Sequence, residues 1–204
     1  MENLPRKERE RLAKRQEILK AARQVFAQKG LHAATLDEIA EKAEFAKGTL
    51  YGYFQNKDDL FATMLEEEII NFEKSLEQVS QEDLPAPAKV EKVIKTMLLI
   101  FEQNVDFMQL LSKERPGMTS IPTAENMMTH FRNLTTIVAS MIKQGIKEGV
   151  FSVKDPVRTS AALFNLTHGS AMGSLLNKKK INDPEEAKFI TGIFFNGIKA
   201  PNVK

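Results

Sequence analysis

Apolar residues recur along this chain at helical rather than strand spacing. Ile18, Ala22, Val25 and Phe26 follow i, i+4, i+7 and i+8, and Gly30 stands behind them as a stop, which predicts a helix over 16–29. Thr35-Leu-Asp-Glu38 has the form of a capping box, in which the hydroxyl accepts the N3 amide and the carboxylate reaches back. It opens a short helix over 36–43 carrying Leu36, Ile39, Ala40 and Ala43. A second short helix is expected over 47–53. Asn56-Lys-Asp-Asp59 is a further start, with Asn56 as the cap and two aspartates near the positive helix end. The helix it opens carries Leu60, Phe61, Met64, Leu65, Ile69, Phe72 and Leu76.

The run DLPAPAK at 83–89 reads as a hinge ending that helix. A new stripe follows, made of Val90, Val93, Ile94, Met97, Leu98 and Phe101. A break near 104–106 precedes a short FMQLL helix, and 115–122 reads as a loop. A long helix is expected from Thr123 to Lys147. Asp155-Pro156 places a cap before a proline at N1 and starts a helix to about Leu176. Asp183-Pro-Glu-Glu186 starts the last one, to about Lys199. No Asn-Gly hairpin with alternating flanks and no Val/Ile/Thr-rich run occurs. The fold class expected is all-α with about nine helices: a three-helix helix-turn-helix domain over 1–54, then a helical bundle over 55–204.

The 204 residues suffice for a sizeable core. No cysteine is present, which removes disulfides and thiolate chemistry. No apolar run reaches membrane-spanning length, and the basic N-terminus has no apolar stretch behind it, so a cytoplasmic protein with no membrane partner is expected. Charge is unevenly spread. Residues 1–30 hold nine Lys/Arg against four Asp/Glu, whereas from residue 61 onward the signs cancel. Such an excess fits an anionic partner or a solvated arm. Histidines at 32, 130 and 168 are far apart, and neither a metalloprotease, a serine-hydrolase nor a phosphate-loop motif occurs. The chain is therefore not expected to be an enzyme, nor to hold a metal or cofactor.

Helices at 36–43 and 47–53, with 16–29 packed across them, form a helix-turn-helix candidate. The stretch KGTLYGYFQNKDDL at 47–60 holds both tyrosines of the chain, two residues apart. With T-L-D-E-I-A-E-K-A before it, this stretch resembles the N-terminal signature of the TetR (tetracycline-repressor) family of bacterial transcription regulators. The resemblance covers about residues 15–62. Beyond it only the helix count and the G-V-F-x-x-x-D-P passage at 149–156 match.

The resemblance implies a recognition helix in the major groove of double-stranded DNA. Tyr51 and Tyr53 would then donate to phosphates, contacts that fix register without reading sequence. Lys57 would hold a phosphate together with amides at its helix start, and Thr35 would supply a second clamp. Lys47, Gly48 and Thr49 would face the groove, Thr49 within reach of a thymine methyl or a phosphate. Gly52 stands where a larger side chain could read bases. Arg6, Lys7, Arg9, Arg11, Lys14 and Arg15 form an arm that could follow the backbone or a minor groove. Phe54 is expected in the core. The turn departs from the family pattern of Gly, aliphatic, Ser/Thr: here it is Glu44, Phe45 and Ala46. Glycine suits a left-handed turn, and glutamate there costs on the order of 1 kcal/mol. Ala46 offers no capping hydroxyl.

The resemblance also implies a homodimer joined through the last two helices. Ala161, Gly169 and Gly173 allow close approach, and Phe164, Met172, Leu175, Phe189, Ile193 and Phe194 supply apolar area. The same residues also suit packing within one chain. A ligand cavity among the central helices is implied as well, for a small apolar or amphipathic effector. Its candidates are Met64, Met97, Phe101, Phe107, Met127 and Phe131, with His130, Asn165 and His168 as polar anchors. Each of these also reads as ordinary core or surface. The function expected is a ligand-responsive regulator, a repressor acting on an operator near its own gene. The rival reading is a DNA organiser or protein-docking module with no effector.

Overall fold

The computed structural model describes residues 5–105 and 123–198. Among them are eight helices and no β-strand. In chain order these are α1 (Arg6–Ala33), α2 (Leu36–Lys42), α3 (Lys47–Tyr51), α4 (Lys57–Gln81), α5 (Ala86–Gln103), α6 (Thr123–Lys147), α7 (Pro156–Leu176) and α8 (Pro184–Ile198). The FMQLL helix and the 115–122 loop expected from the sequence lie outside the described residues.

Four helices start where a capping side chain dictates. The Glu38 amide donates to Thr35 Oγ1 at 3.3 Å, and the Thr35 amide donates to Glu38 Oε2 at 3.1 Å, closing the capping box. Asn56 Oδ1 accepts the Asp59 amide at 2.8 Å, Asp155 Oδ1 that of Arg158 at 3.0 Å, and Asp183 Oδ1 that of Glu185 at 2.9 Å. Each such cap contributes about 1 kcal/mol. Helix α5 differs, because it begins at Ala86, inside the run read as a hinge. Pro85 supplies no side-chain cap, and the Ala86 amide donates instead to Glu148 Oε2, 3.0 Å away at the end of α6. Buried Lys89 turns back and donates to the Ser80 carbonyl at 2.8 Å, near the end of α4.

Helix α1 is longer than its apolar spacing predicts: it starts at Arg6, so the basic arm is helical. Gly30, at φ 79° and ψ 166°, breaks it before a last short turn. Three helices end in a residue of left-handed conformation. After α2 this is Glu44 (φ 59°), whose amide donates to the Glu41 carbonyl at 3.1 Å while that of Phe45 donates to Ala40 at 2.9 Å. Gly149 after α6 and Lys178 after α7 repeat the same two-bond closure.

The described residues divide into two compact units, 5–68 with 123–125, and 69–105 with 126–198. The first is built on Ile18, Ala22, Phe26, Ile39, Leu50, Leu60 and Phe61. Phe26 and Phe61 meet edge to face, 5.5 Å between centroids. The core of the second includes Val90, Ile94, Met97 and Leu98 of α5, Val138, Met141 and Ile142 of α6, Leu163 of α7 and Ile190 of α8. Each large aliphatic side chain so buried contributes about 1.5–3 kcal/mol. Among the described residues, no helix is long and apolar enough to cross a membrane.

Candidate nucleic-acid interface

Helices α2 and α3 are held against α1 by Ile39, Ala40 and Leu50, all buried in the first core. Since Leu50 points inward, its neighbours on α3 point out. Lys47 and Gly48 are exposed, Thr49 is half-buried, and Tyr51 stands 53% exposed. Gly52 is exposed at the C-cap, while Tyr53 is half-buried and packs against the core. Phe54 is buried, as expected. A Cβ at Gly48 would meet nothing within 4 Å, so its surface is open to a close partner. Ala46 caps α3 without a side-chain bond, as a residue lacking a hydroxyl must. Glu44 does adopt the left-handed backbone expected at that turn.

Two expected contact groups are already engaged within the protein. The Thr35 hydroxyl is the acceptor of the capping box, leaving its own proton to donate. The Lys57 ammonium donates to the carbonyls of His32 at 2.9 Å and Ala34 at 3.0 Å. The reason is local: the break at Gly30 leaves the last carbonyls of α1 short of helical partners, and a cation satisfies them. Of its three N–H groups, one remains for a phosphate.

Sequence reasoning missed the acids that pair with the lysines of this surface. Lys47 Nζ lies 2.6 Å from Asp37, and Lys29 Nζ lies 2.6 Å from Glu38. The Asp37 carboxylate holds the Lys47 ammonium above the usual lysine range. These pairs join residues nine and ten positions apart on different helices, so no short-range pattern marks them. Helix α1 is tied to the first half of α4 as well. Arg15 pairs with Glu67, Arg23 with Glu68, and the Arg15 guanidinium also lies 5.9 Å from the centre of the Phe54 ring.

Residues 18–64 match the family model described as "Bacterial regulatory proteins, tetR family". That stretch of the chain is a tetR-type regulatory domain. The HTH-type transcriptional regulator YhgD of Bacillus subtilis is 24% identical over 176 residues, 86% of this chain and 90% of that protein. The fatty acid metabolism regulator protein of the same organism is 29% identical over 138 residues, 66% of this chain and 71% of the relative. A solved structure of the transcriptional regulator FadR from Bacillus subtilis, in complex with stearoyl-CoA, superposes with a TM-score of 0.76 at 20% identity. It covers 90% of this chain and 98% of that one, a likeness of fold.

Of the described residues expected around an effector, Met64 belongs to the first unit and the others to the second. Met64 is buried in the core of the first unit, next to α1. Met97 is buried in the core of the second. Phe101 meets the His168 ring edge to face at 5.6 Å, and Phe131, 46% exposed, meets Phe164 at 6.0 Å. His130 Nδ1 lies 3.0 Å from Glu73 Oε1, and Asn165 is exposed. Phe107 and the side chain of Met127 lie outside the described residues. A groove of about 560 Å³ does open elsewhere on the second unit. It has Lys154, Asp155 and Arg158 beside Leu166, Ile193, Phe194 and Ile198, of which Ile193 and Phe194 were expected at the dimer seam.

The residues expected at a dimer seam differ in burial. Phe164 and Phe194 are buried in the chain's own core, and Leu175 packs against it. Ala161, Met172 and Gly173 are half-buried, while Gly169, Phe189 and Ile193 are exposed. No atom lies within 4 Å of a Cβ placed at Gly169, Gly173, Gly192 or Gly197.

Proposed function

We propose that this chain is a dimeric, ligand-responsive transcriptional repressor whose α3 enters the major groove of a palindromic operator near its own gene. The observation that supports this reading most is the presentation of α3. Leu50 anchors it inward, while Lys47, Gly48 and Tyr51 face outward beside the exposed Thr35. In this reading Tyr51 and Tyr53 donate to phosphates, and Thr49 and Gly52 lie nearest the bases. The remaining N–H of Lys57 and the Thr35 hydroxyl hold the backbone on either side.

The effector proposed is amphipathic with a long apolar part, of the fatty acyl-thioester class. Support comes from the fatty acid regulator among its relatives and from the half-buried Phe72 and Phe101 and the exposed Phe131 of the second unit, with His130 and His168 beside them. Release requires that the effector bind the form of the dimer unable to span two half-sites better than the form that can.

Fluorescence anisotropy on DNA from upstream of the gene tests this. Tyr51→Phe should weaken binding to every sequence alike, by roughly threefold to tenfold for one lost donor. Added long-chain acyl-CoA should release the wild-type protein. Tight DNA binding untouched by acyl-CoA or by free fatty acids would leave the organiser reading as the better one.

A further inference from the structure

The helix-turn-helix itself is acidic. From Gly30 to Leu60 it carries Lys42, Lys47 and Lys57 against Asp37, Glu38, Glu41, Glu44, Asp58 and Asp59. Of its lysines, Lys47 is paired with Asp37 and Lys57 is spent largely on carbonyls. A surface of this charge is a poor match for a polyanion, whose affinity comes mainly from cations set against phosphates.

The missing charge lies on the first turns of α1. Residues 6–15 hold six cations and two acids, and every residue from 5 to 14 is exposed. Arg6 is paired with Glu10 at 2.7 Å and Arg15 with Glu67. Among the described residues, Lys7, Arg9, Arg11 and Lys14 have no ion-pair partner. Three of these form a line. Lys7, Arg11 and Lys14 recur at i, i+4 and i+7, the spacing of one helix face. Ile18 and Val25 continue that face at i+11 and i+18, and both are buried in the core. The cationic stripe therefore prolongs the core-facing side of α1 beyond the end of the core. It overhangs the rim of the unit instead of facing away from it. The root of this overhang is Arg15, which touches Phe54, three residues after Tyr51.

We infer that the stripe of Lys7, Arg11 and Lys14 is a second DNA-contacting element, gripping duplex phosphates that flank the site entered by α3. This rests on the proposed function and deepens it. The stripe spans roughly 10 Å at 1.5 Å per residue. Phosphates of one strand advance about 3.4 Å each along the duplex axis, so the stripe matches about three. It recognises backbone and not bases, so it strengthens binding to all duplexes.

The test is the salt dependence of full-length protein binding to a short random-sequence duplex. The triple variant K7Q/R11Q/K14Q should lower the slope of log K against log salt by about 2.7, at 0.9 per lost phosphate contact. R9Q, on the opposite face of the same helix, should keep close to the wild-type slope. Thermal unfolding of the triple variant should match wild type, since none of the three side chains is buried. A triple variant with the wild-type slope overturns the inference while leaving the α3 reading intact. So does an R9Q loss equal to one third of the triple loss, which would mean diffuse charge and no stripe. Wild-type protein that fails to bind any duplex overturns the functional reading itself. Loss of binding to phosphatidylserine vesicles with duplex binding unchanged would assign the stripe to a lipid surface instead.

Discussion

The ammonium of Lys47 lies 2.6 Å from the carboxylate of Asp37, so the first residue of α3 is tied to the first turn of α2. Both side chains are more than half exposed, and such a pair adds little to stability. Its effect falls on binding, because Asp37 competes with phosphate for the same cation. Asp37→Asn should leave thermal unfolding nearly unchanged. It should strengthen binding to random duplex severalfold at low salt and steepen the salt slope by about 0.9, one more phosphate contact. An unchanged slope would mean that Lys47 never leaves Asp37 for DNA.

Glu44 combines two separable costs, a left-handed backbone and a negative charge beside the recognition helix. Glu44→Gly relieves both, whereas Glu44→Gln relieves only the charge. In urea unfolding the glycine variant should be more stable than the glutamine variant by about 0.5–1 kcal/mol, after the larger chain entropy of glycine is counted. Both should bind duplex DNA more tightly than wild type. Equal stability of the two variants would show that the turn tolerates a side chain without strain.

What the sequence made legible was local. The caps at Thr35, Asn56, Asp155 and Asp183 depend on residues within three positions, and each is found in place. The left-handed turn at Glu44 was legible because the resemblance supplied a glycine to compare with. The partners of Lys47, Lys57 and Lys29 were not, since packing brings them from 9 to 25 positions away. The helical start at Arg6 was hidden for another reason: residues 6–14 have no apolar stripe, and periodicity of apolar residues was the signal used. Phe164 and Phe194 show a further limit. An apolar residue on a terminal helix reads alike whether its own chain or a second copy covers it.

The acid limb of stability carries a signature of the capping box. The Glu38 carboxyl is held below its ordinary value of 4.5, first by the Lys29 ammonium and then by the Thr35 amide. A carboxylate lowered in the folded state stabilises above the unfolded value and loses that contribution as pH falls through the folded one. Glu38→Gln keeps the side-chain shape and an acceptor oxygen but not the charge. The variant should melt below wild type at neutral pH, and the gap should close as pH drops below 4.5. A gap independent of pH would assign the loss to shape alone.

Gly145 is fixed by its neighbour and not by its backbone. A Cβ there would overlap the Phe151 ring, which is buried. The Phe151 amide also donates to the Gly145 carbonyl at 3.1 Å, so the ring cannot simply withdraw. Gly145→Ala should cost about 1–3 kcal/mol in chemical unfolding, the usual range for overpacking. Adding Phe151→Leu should recover part of it, and a fully additive double mutant would show that the two sites do not clash.

Phe189 and Ile193 stand one turn apart on α8, 58% and 46% exposed. Gly169 and Gly173 on α7, and Gly192 and Gly197 on α8, leave open space where side chains would stand. A second copy of the same two helices would cover this apolar face. Covering one such side chain contributes about 1.5–3 kcal/mol, and two-fold symmetry counts each residue twice. Because each is only about half exposed beforehand, the four side chains supply roughly 3–6 kcal/mol, a large share of the about 8 kcal/mol of a micromolar dimer. Phe189→Asp with Ile193→Asp removes that contribution and sets four carboxylates against one another. Light scattering after size exclusion should find the wild type dimeric and the variant monomeric. Each variant monomer should keep its helical signal, because neither side chain is buried within its own chain. A variant that stays dimeric would move the seam off this face, and with it the geometry that sets two recognition helices on one palindrome.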